Sequence, residues 1–268
     1  MTSYDGWTPE ALRVQVDAGV AIVTLCRPER GNSFSGTLCR EIGELALRLD
    51  SDPRVRSVLI RAEGRWFSTG GELNELGRSR DEAPAFIKEA TMTLHSGLSR
   101  LARMNAPVVV AMRGGCIGAG AALPAAADFC LATPAVTFTC GYPAIGMTVD
   151  AGLSWFLPRR VGSRATADYF LRNRTWTAEE AHRIGLVSEV VPDDELDGRS
   201  EDLARELAAG PTAAFGEVKN LLLDTFGTSL EEQLEREARS LARAAATDDG
   251  WGGITALSRR ETPTFTGR

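Results

Sequence analysis

Phe67-Ser68-Thr69-Gly70-Gly71-Glu72-Leu73 and Gly114-Gly115-Cys116-Ile117-Gly118-Ala119-Gly120-Ala121-Ala122 are the two stretches whose reading decides the fold. Each follows a strand-like run, precedes a helical one and consists largely of small residues. Small residues leave backbone N–H groups open. At a helix start those groups lack intrahelical partners and sit at the positive end of the dipole. Two such loops facing each other can hold an oxyanion. A lone glycine-rich turn more often serves packing or a positive φ, so the pair carries more weight than either loop alone. Neither loop is a phosphate fingerprint: the second lacks the Lys-Ser/Thr of a P-loop and the spacing of GxGxxG.

Working outward, Val14 to Val16 and Val20 to Leu25 are β-branched runs around Asp17-Ala18-Gly19, which predicts a hairpin. Ser35 caps a helix with Leu38, Ile42, Leu45 and Leu49 at helical spacing, and Val55 to Ile60 reads as a strand. A long helix ends near Met104 with Leu94, Leu98 and Leu101 on one face, after which Pro107 opens the strand Val108 to Met112. Phe129 to Ala132, Val136 to Thr139 and Leu186 to Val191 complete the expected strands, and everything from Glu195 onward reads as helical. Capping boxes are expected at Thr177 with Glu180 and at Ser229 with Glu232, and breaks at Gly210-Pro211 and Gly227. The repeated order of strand, glycine loop and helix predicts an α/β fold whose site is built from loops between strand ends and helix starts.

Composition narrows the function classes. A chain of 268 residues, 43% hydrophobic and 25% charged, reads as one main globular domain with a terminal extension. A net charge of -6 argues against a nucleic-acid surface, and an anionic small ligand would need local Lys or Arg. The most apolar stretch, from Pro107 to Ala127, is interrupted by Arg113 and Pro124, so no membrane span is expected. The five cysteines are scattered and form no CxxC, which predicts neither disulfides nor a metal site and fits a reducing cytoplasm. Met1 to Glu10, carrying Asp5 and Glu10 without a basic stretch or apolar core, does not read as a secretory signal.

A collinear series of motifs then resembles the enoyl-CoA hydratase/isomerase (crotonase) superfamily. Cys26-Arg27-Pro28-Glu29-Arg30-Gly31-Asn32-Ser33-Phe34 is similar to its RPE-x-x-N segment, Phe67 to Leu73 to its FxAGxDL loop, and Pro107 to Asp128 to its PVxAxxGxxxGxGxxLxxxxD segment. Gly146 to Gly162, Ala178 to Ala181, Gly185 to Val187 and the closing Phe265-Thr266-Gly267-Arg268 continue the series. The resemblance implies a crotonase (ClpP-like) ββα spiral over residues 1–194 and a helical trimerisation region over 195–268, assembled as a homotrimer or homohexamer. It implies an acyl-CoA substrate, with coenzyme A entering as part of that substrate and no tightly bound cofactor. By position, the two oxyanion donors fall on the N–H groups of Gly71 and Ala119.

Members differ in the acid beside the enolate. The two hydratase glutamates fall by position on Ala122 and Tyr142, so both carboxylates that would activate water and deliver the proton are missing, which argues against hydration. Asp150 occupies the position where isomerase members carry their acid, ring-1,2-epoxyphenylacetyl-CoA isomerases being the most similar, and one carboxylate suffices for a 1,3-proton shift. Read from the residues alone, Asp150 is a cap for a helix starting near Ala151, and it is the resemblance that turns it into an acid. His95 keeps open a 4-chlorobenzoyl-CoA dehalogenase-like hydrolysis, in which an aspartate attacks and a histidine activates water, while His182 reads as a surface residue. A protein that binds acyl-CoA without turnover is a further alternative. By resemblance, Arg27 and Arg30 flank the nucleotide, Lys219 approaches the pyrophosphate and Arg260 reaches a neighbouring subunit's ligand. Ser68, Thr69, Gly70, Gly118 and Tyr142 complete the expected substrate contacts, while Glu72 and Asp128 read as structural.

Overall fold

The computed structural model describes residues 4–77 and 79–267. Met1 to Ser3 of the N-terminal segment and Arg268 of the closing motif lie outside the described residues. The expected hairpin forms from β1 (Leu12–Asp17) and β2 (Val20–Leu25), antiparallel with Asp17 opposite Val20. After α1 (Gly36–Ser51) the chain repeats a unit of two strands and helix. The first unit is β3 (Ser57–Ala62), β4 (Trp66–Ser68), α2 (Leu73–Leu76) and α3 (Ala83–Arg103). The second is β5 (Val108–Met112), β6 (Gly115–Ile117) and α4 (Ala122–Ala126); the third is β7 (Phe129–Ala132), β8 (Thr137–Thr139) and α5 (Leu153–Val161). Then come α6 (Ser163–Leu171), β9 (Thr175–Thr177), α7 (Ala178–Arg183) and β10 (Glu189–Val190).

Each unit gives its first strand to one sheet and its second to another. The sheets run β1-β2-β3-β5-β7-β10 and β4-β6-β8-β9, which is the ββα spiral that the motif series implied. The centre of the large sheet is buried on both sides: Val58, Leu59 and Ile60 of β3 and every residue of β5 are apolar and buried. Val58 and Ile60 of β3, with Val108, Val110 and Met112 of β5, enter the main core with Leu38, Ile42 and Leu45 of α1 and Leu94, Leu98 and Leu101 of α3. Leu59, Val109 and Ala111 point the other way. They are covered by Leu196, Ala204 and Ala208 of α8 (Leu196–Ala208), and the Ser57 hydroxyl donates to the Ala204 carbonyl at 2.7 Å. Helices α9 (Thr212–Asp224), α10 (Leu230–Ala245) and α11 (Asp248–Ser258) follow, and they leave Leu222, Leu234, Leu241, Trp251 and Leu257 exposed.

Several local expectations change. The strand expected at 55–60 lies two residues later, and only Glu189–Val190 of the expected 186–191 pairs. The three-residue strands β4, β6 and β9 are too short to show an alternation. Thr177 makes the full capping box, whereas Ser229 accepts from the Glu232 N–H without the reciprocal bond. Of the cysteines, Cys39, Cys116, Cys130 and Cys140 are buried and Cys26 is half-buried, all as free thiols. No helix among the described residues is long and apolar enough to cross a membrane.

Candidate active site

Strands β4, β6 and β8 lie side by side and parallel, Ser68 opposite Cys116 and Ile117 opposite Thr139. Their carboxyl ends therefore deliver three loops to one end of the small sheet: 69–72, 118–121 and 140–152. The first loop is stitched to the segment before α1. Phe34 N–H donates to the Gly70 carbonyl at 2.7 Å, Thr69 N–H to the Gly31 carbonyl at 2.9 Å, and the Ser68 hydroxyl to the Asn32 carbonyl at 2.8 Å. Because Phe34 bridges Gly70 and Glu72, the intervening Gly71 turns its own N–H to the opposite side.

The neighbouring Gly70 packs against the second loop. Gly70 has φ +81°, and a Cβ built there would meet the Ile117 carbonyl oxygen at 2.4 Å and the Ala119 nitrogen at 3.3 Å, so the two loops approach more closely than any side chain allows. Ala119 is the second residue of a 3₁₀ turn over Gly118–Ala121, where N–H groups have no partner within the turn. Neither the Gly71 nor the Ala119 N–H donates to a protein acceptor among the described residues. The two residues expected from sequence to be oxyanion donors thus lie on loops in contact through Gly70, each N–H without a protein acceptor among the described residues.

The third loop carries Asp150. Asp150 is half-buried and its Oδ1 accepts a short hydrogen bond from the Tyr142 hydroxyl. Burial and the Asp150 charge both push the Tyr142 phenol well above its ordinary value, so it stays a donor. Gly118 lies against the Tyr142 ring, at van der Waals distance for an added methyl, which joins the second loop to the third. Asp150 is not a helix cap. The helix starts at Leu153, and its N-cap is Gly152, with no side chain accepting from the first turn. His95, on α3, accepts from the Ala151 N–H through Nε2 at 3.1 Å. His95, Asp150, Trp155, Phe156, Leu98 and Leu223 line a cleft of about 550 Å³.

The remaining candidates separate. Glu72 is buried and accepts from the Ser33 hydroxyl at 2.7 Å, with Arg30 at 3.5 Å; the Ser33 bond is the chief reason its carboxyl lies below the usual value. Arg27 pairs with Glu29 at 3.5 Å beside the same loop, and Arg260 stands exposed beyond α11, away from the cleft lining. Lys219 does not meet the expectation of a pyrophosphate contact. Its Nζ is buried, 2.8 Å from the Asp128 carboxylate and 2.9 Å from the Ala106 carbonyl. Burial draws its pKa down, and the ion pair with Asp128 offsets that effect. His182 is exposed, as expected. No group of three His, Cys, Asp or Glu side chains suited to a metal ion occurs among the described residues.

The sequence model of the enoyl-CoA hydratase/isomerase family matches residues 15–268. The chain belongs to the enoyl-CoA hydratase/isomerase family. It is 33% identical over 231 residues to a 4-chlorobenzoyl coenzyme A dehalogenase from Arthrobacter, covering 86% of this chain and 84% of that one. It is 31% identical over 262 residues to the 1,2-epoxyphenylacetyl-CoA isomerase of Escherichia coli, covering 97% and 99%. The crystal structure of an enoyl-CoA hydratase/isomerase family protein from Mycobacterium abscessus superposes with a TM-score of 0.89 at 35% identity, over 96% of this chain and all of that one.

Within this family member, the partners of two residues, Asn32 and His95, were not legible in the sequence. Asn32, quoted in a motif but given no task, is 1% exposed at φ +49°. It accepts from Arg27 N–H and donates to the carbonyls of Glu63 and Trp66, so it ties the first loop's support to β4. An asparagine after Arg30-Gly31 is a usable signal, because Asn tolerates the left-handed region. The contact from His95 to Ala151 spans 56 residues and has no local signal.

Proposed function

We propose that this family member isomerises an acyl-CoA thioester, with Asp150 as the acid and base and the N–H groups of Gly71 and Ala119 as the oxyanion donors. The observation that carries the reading is a single carboxylate, held by the Tyr142 hydroxyl, in the cleft that also takes in His95 and Trp155. Asp150 takes a proton from a carbon next to the alkene or strained ring. The electron pair moves toward the thioester oxygen, where the two N–H groups stabilise the enolate. The same carboxyl returns the proton two carbons away. Hydration is disfavoured by the fully buried Ala122 and by Tyr142, which leave Asp150 without a second acid. The exposed apolar residues of α9 to α11 support assembly into a trimer or hexamer.

A dehalogenase-like reading is favoured by His95 and Asp150 sharing one cleft. There the Asp150 carboxylate adds to the halogen-bearing ring carbon, halide leaves, and water hydrolyses the aryl ester. The Ala151 N–H on His95 Nε2 argues against it, since that lone pair is not free to take a proton from water.

The test is turnover of 3-enoyl-CoA and ring-bearing acyl-CoA substrates by the wild type and Asp150→Asn. The variant should lose about 10² to 10⁴ in kcat with little change in acyl-CoA affinity. Near-normal turnover removes Asp150 from the chemistry. Efficient crotonyl-CoA hydration without isomerisation overturns the reaction class, and chloride release with an aspartyl adduct in quenched enzyme establishes the second reading instead. Binding without exchange of substrate protons into deuterated water would mark a protein that turns nothing over.

A further inference from the structure

We infer that His95 is a positioning residue that holds Asp150 in place through the backbone of Ala151, and that it neither donates nor takes a proton during turnover. The inference deepens the isomerase reading and rests on Asp150 being the acid. Ala151 adopts φ +52° and is fully buried, and Gly152 follows at φ +74°. Left-handed backbone at a residue with a Cβ is strained and persists only where its surroundings hold it. The turn is tight on both sides: a Cβ at Gly152 would meet the Phe156 ring at 2.9 Å, and Leu153 N–H donates to the Asp150 carbonyl at 3.1 Å. Gly152, the N-cap of α5, contributes no side-chain bond. The His95 imidazole, from α3, accepts from the backbone of this turn, 3.1 Å from the Ala151 nitrogen.

The direction of that bond decides what His95 does. A backbone N–H can only donate, so Nε2 is the acceptor and carries no proton, which leaves Nδ1 as the protonated nitrogen of a neutral ring. The lone pair that a general base would use is already engaged. Its bond orients the peptide between Asp150 and Ala151, and with it the Cα–Cβ direction of Asp150. Tyr142 fixes the carboxylate's torsion through Oδ1. Two contacts from two elements therefore aim one carboxylate, and the strained Ala151 is the joint between them.

The experiment compares His95→Leu, His95→Gln and the double variant His95→Leu/Ala151→Gly. Leucine fills the space without an acceptor, glutamine offers an amide oxygen near the Nε2 position, and glycine at 151 adopts the left-handed turn without help. His95→Leu should lower kcat about tenfold at unchanged KM, the scale of one lost hydrogen bond that aligns a reacting group. His95→Gln should recover most of that loss, as should the double variant. Hydrogen exchange over 148–152 should be faster in His95→Leu and near wild type in His95→Gln. The inference is overturned if His95→Gln is as slow as His95→Leu and Ala151→Gly restores nothing, which is the pattern of a proton-transferring histidine. It is equally overturned if His95→Leu leaves kcat and exchange untouched. Failure of the isomerase reading shows separately, as an active Asp150→Asn, and the exchange measurement judges the His95 contact in either case.

Discussion

Replacing Gly70 by alanine tests the meeting of the two glycine loops. Two costs are separable from the geometry. The first is conformational: at φ +81° an added Cβ costs about 1–2 kcal/mol. The second is steric, since the new carbon would lie 2.4 Å from the Ile117 carbonyl oxygen. Carbon and carbonyl oxygen settle at about 3.3 Å or more, so one loop must retreat by roughly 0.9 Å. Ile117 immediately precedes the turn that presents the Ala119 N–H, and Gly70 precedes the Gly71 N–H, so the retreat widens the gap between the two free donors. Losing one donor from such a pair costs about 10² to 10³ in kcat. Gly6→Ala is the control, because Gly6 has φ +80° and nothing within 4 Å of an added Cβ. Thermal unfolding and kcat/KM for isomerisation are measured on both. Gly6→Ala should lose stability alone, whereas Gly70→Ala should lose more stability and at least two orders of magnitude in kcat. A Gly70→Ala protein as stable as the control and with wild-type kcat would refute the argument that these loops form one oxyanion site.

Two further outcomes follow from charges inside the fold. Glu72 has its folded pKa below the ordinary 4.5, so the stabilisation it gives is complete above that value and is lost as pH falls through the folded value. Chemical denaturation from about pH 6 down to about pH 3 should therefore show a shallower decline for Glu72→Gln than for the wild type, and parallel curves would contradict the assignment. Lys219→Met leaves the Asp128 carboxylate without its cation and should cost about 3 kcal/mol of stability while the KM for acyl-CoA stays unchanged. A large rise in KM at constant stability would return Lys219 to phosphate binding.

The elements that were readable from sequence are those whose burial is uniform or periodic. Val108 to Met112 is buried at every position and α1 repeats Leu38, Ile42, Leu45 and Leu49 inward, so both patterns survive without knowledge of the neighbours. Strands β4, β6 and β9 have three residues each and exist because they pair within the small sheet, β4 with β6 and β9 with β8, a tertiary cause that leaves no period in the chain. At the site, the glycines of both loops were legible because close backbone approach demands them. The place of Asp150 followed from the resemblance, but its phenolic partner and the His95 contact are products of folding. Lys219 was misplaced for a general reason: a cation in sequence looks the same whether it faces an anionic ligand or an internal carboxylate.

The five cysteines have a consequence for the chemistry. An acyl-CoA is itself a thioester, open to capture by any thiolate that reaches its carbonyl carbon. Cys39 lies close enough to Asp150 to feel its charge, and burial with the Asp150 and Glu75 carboxylates pushes its thiol up to about 12. Burial also raises the other four thiols. At neutral pH the protein therefore offers almost no sulfur nucleophile to its proposed substrate. For Cys39, Cys116, Cys130 and Cys140 the packing that builds the core also disfavours acyl transfer onto the polypeptide, which would consume the proposed substrate.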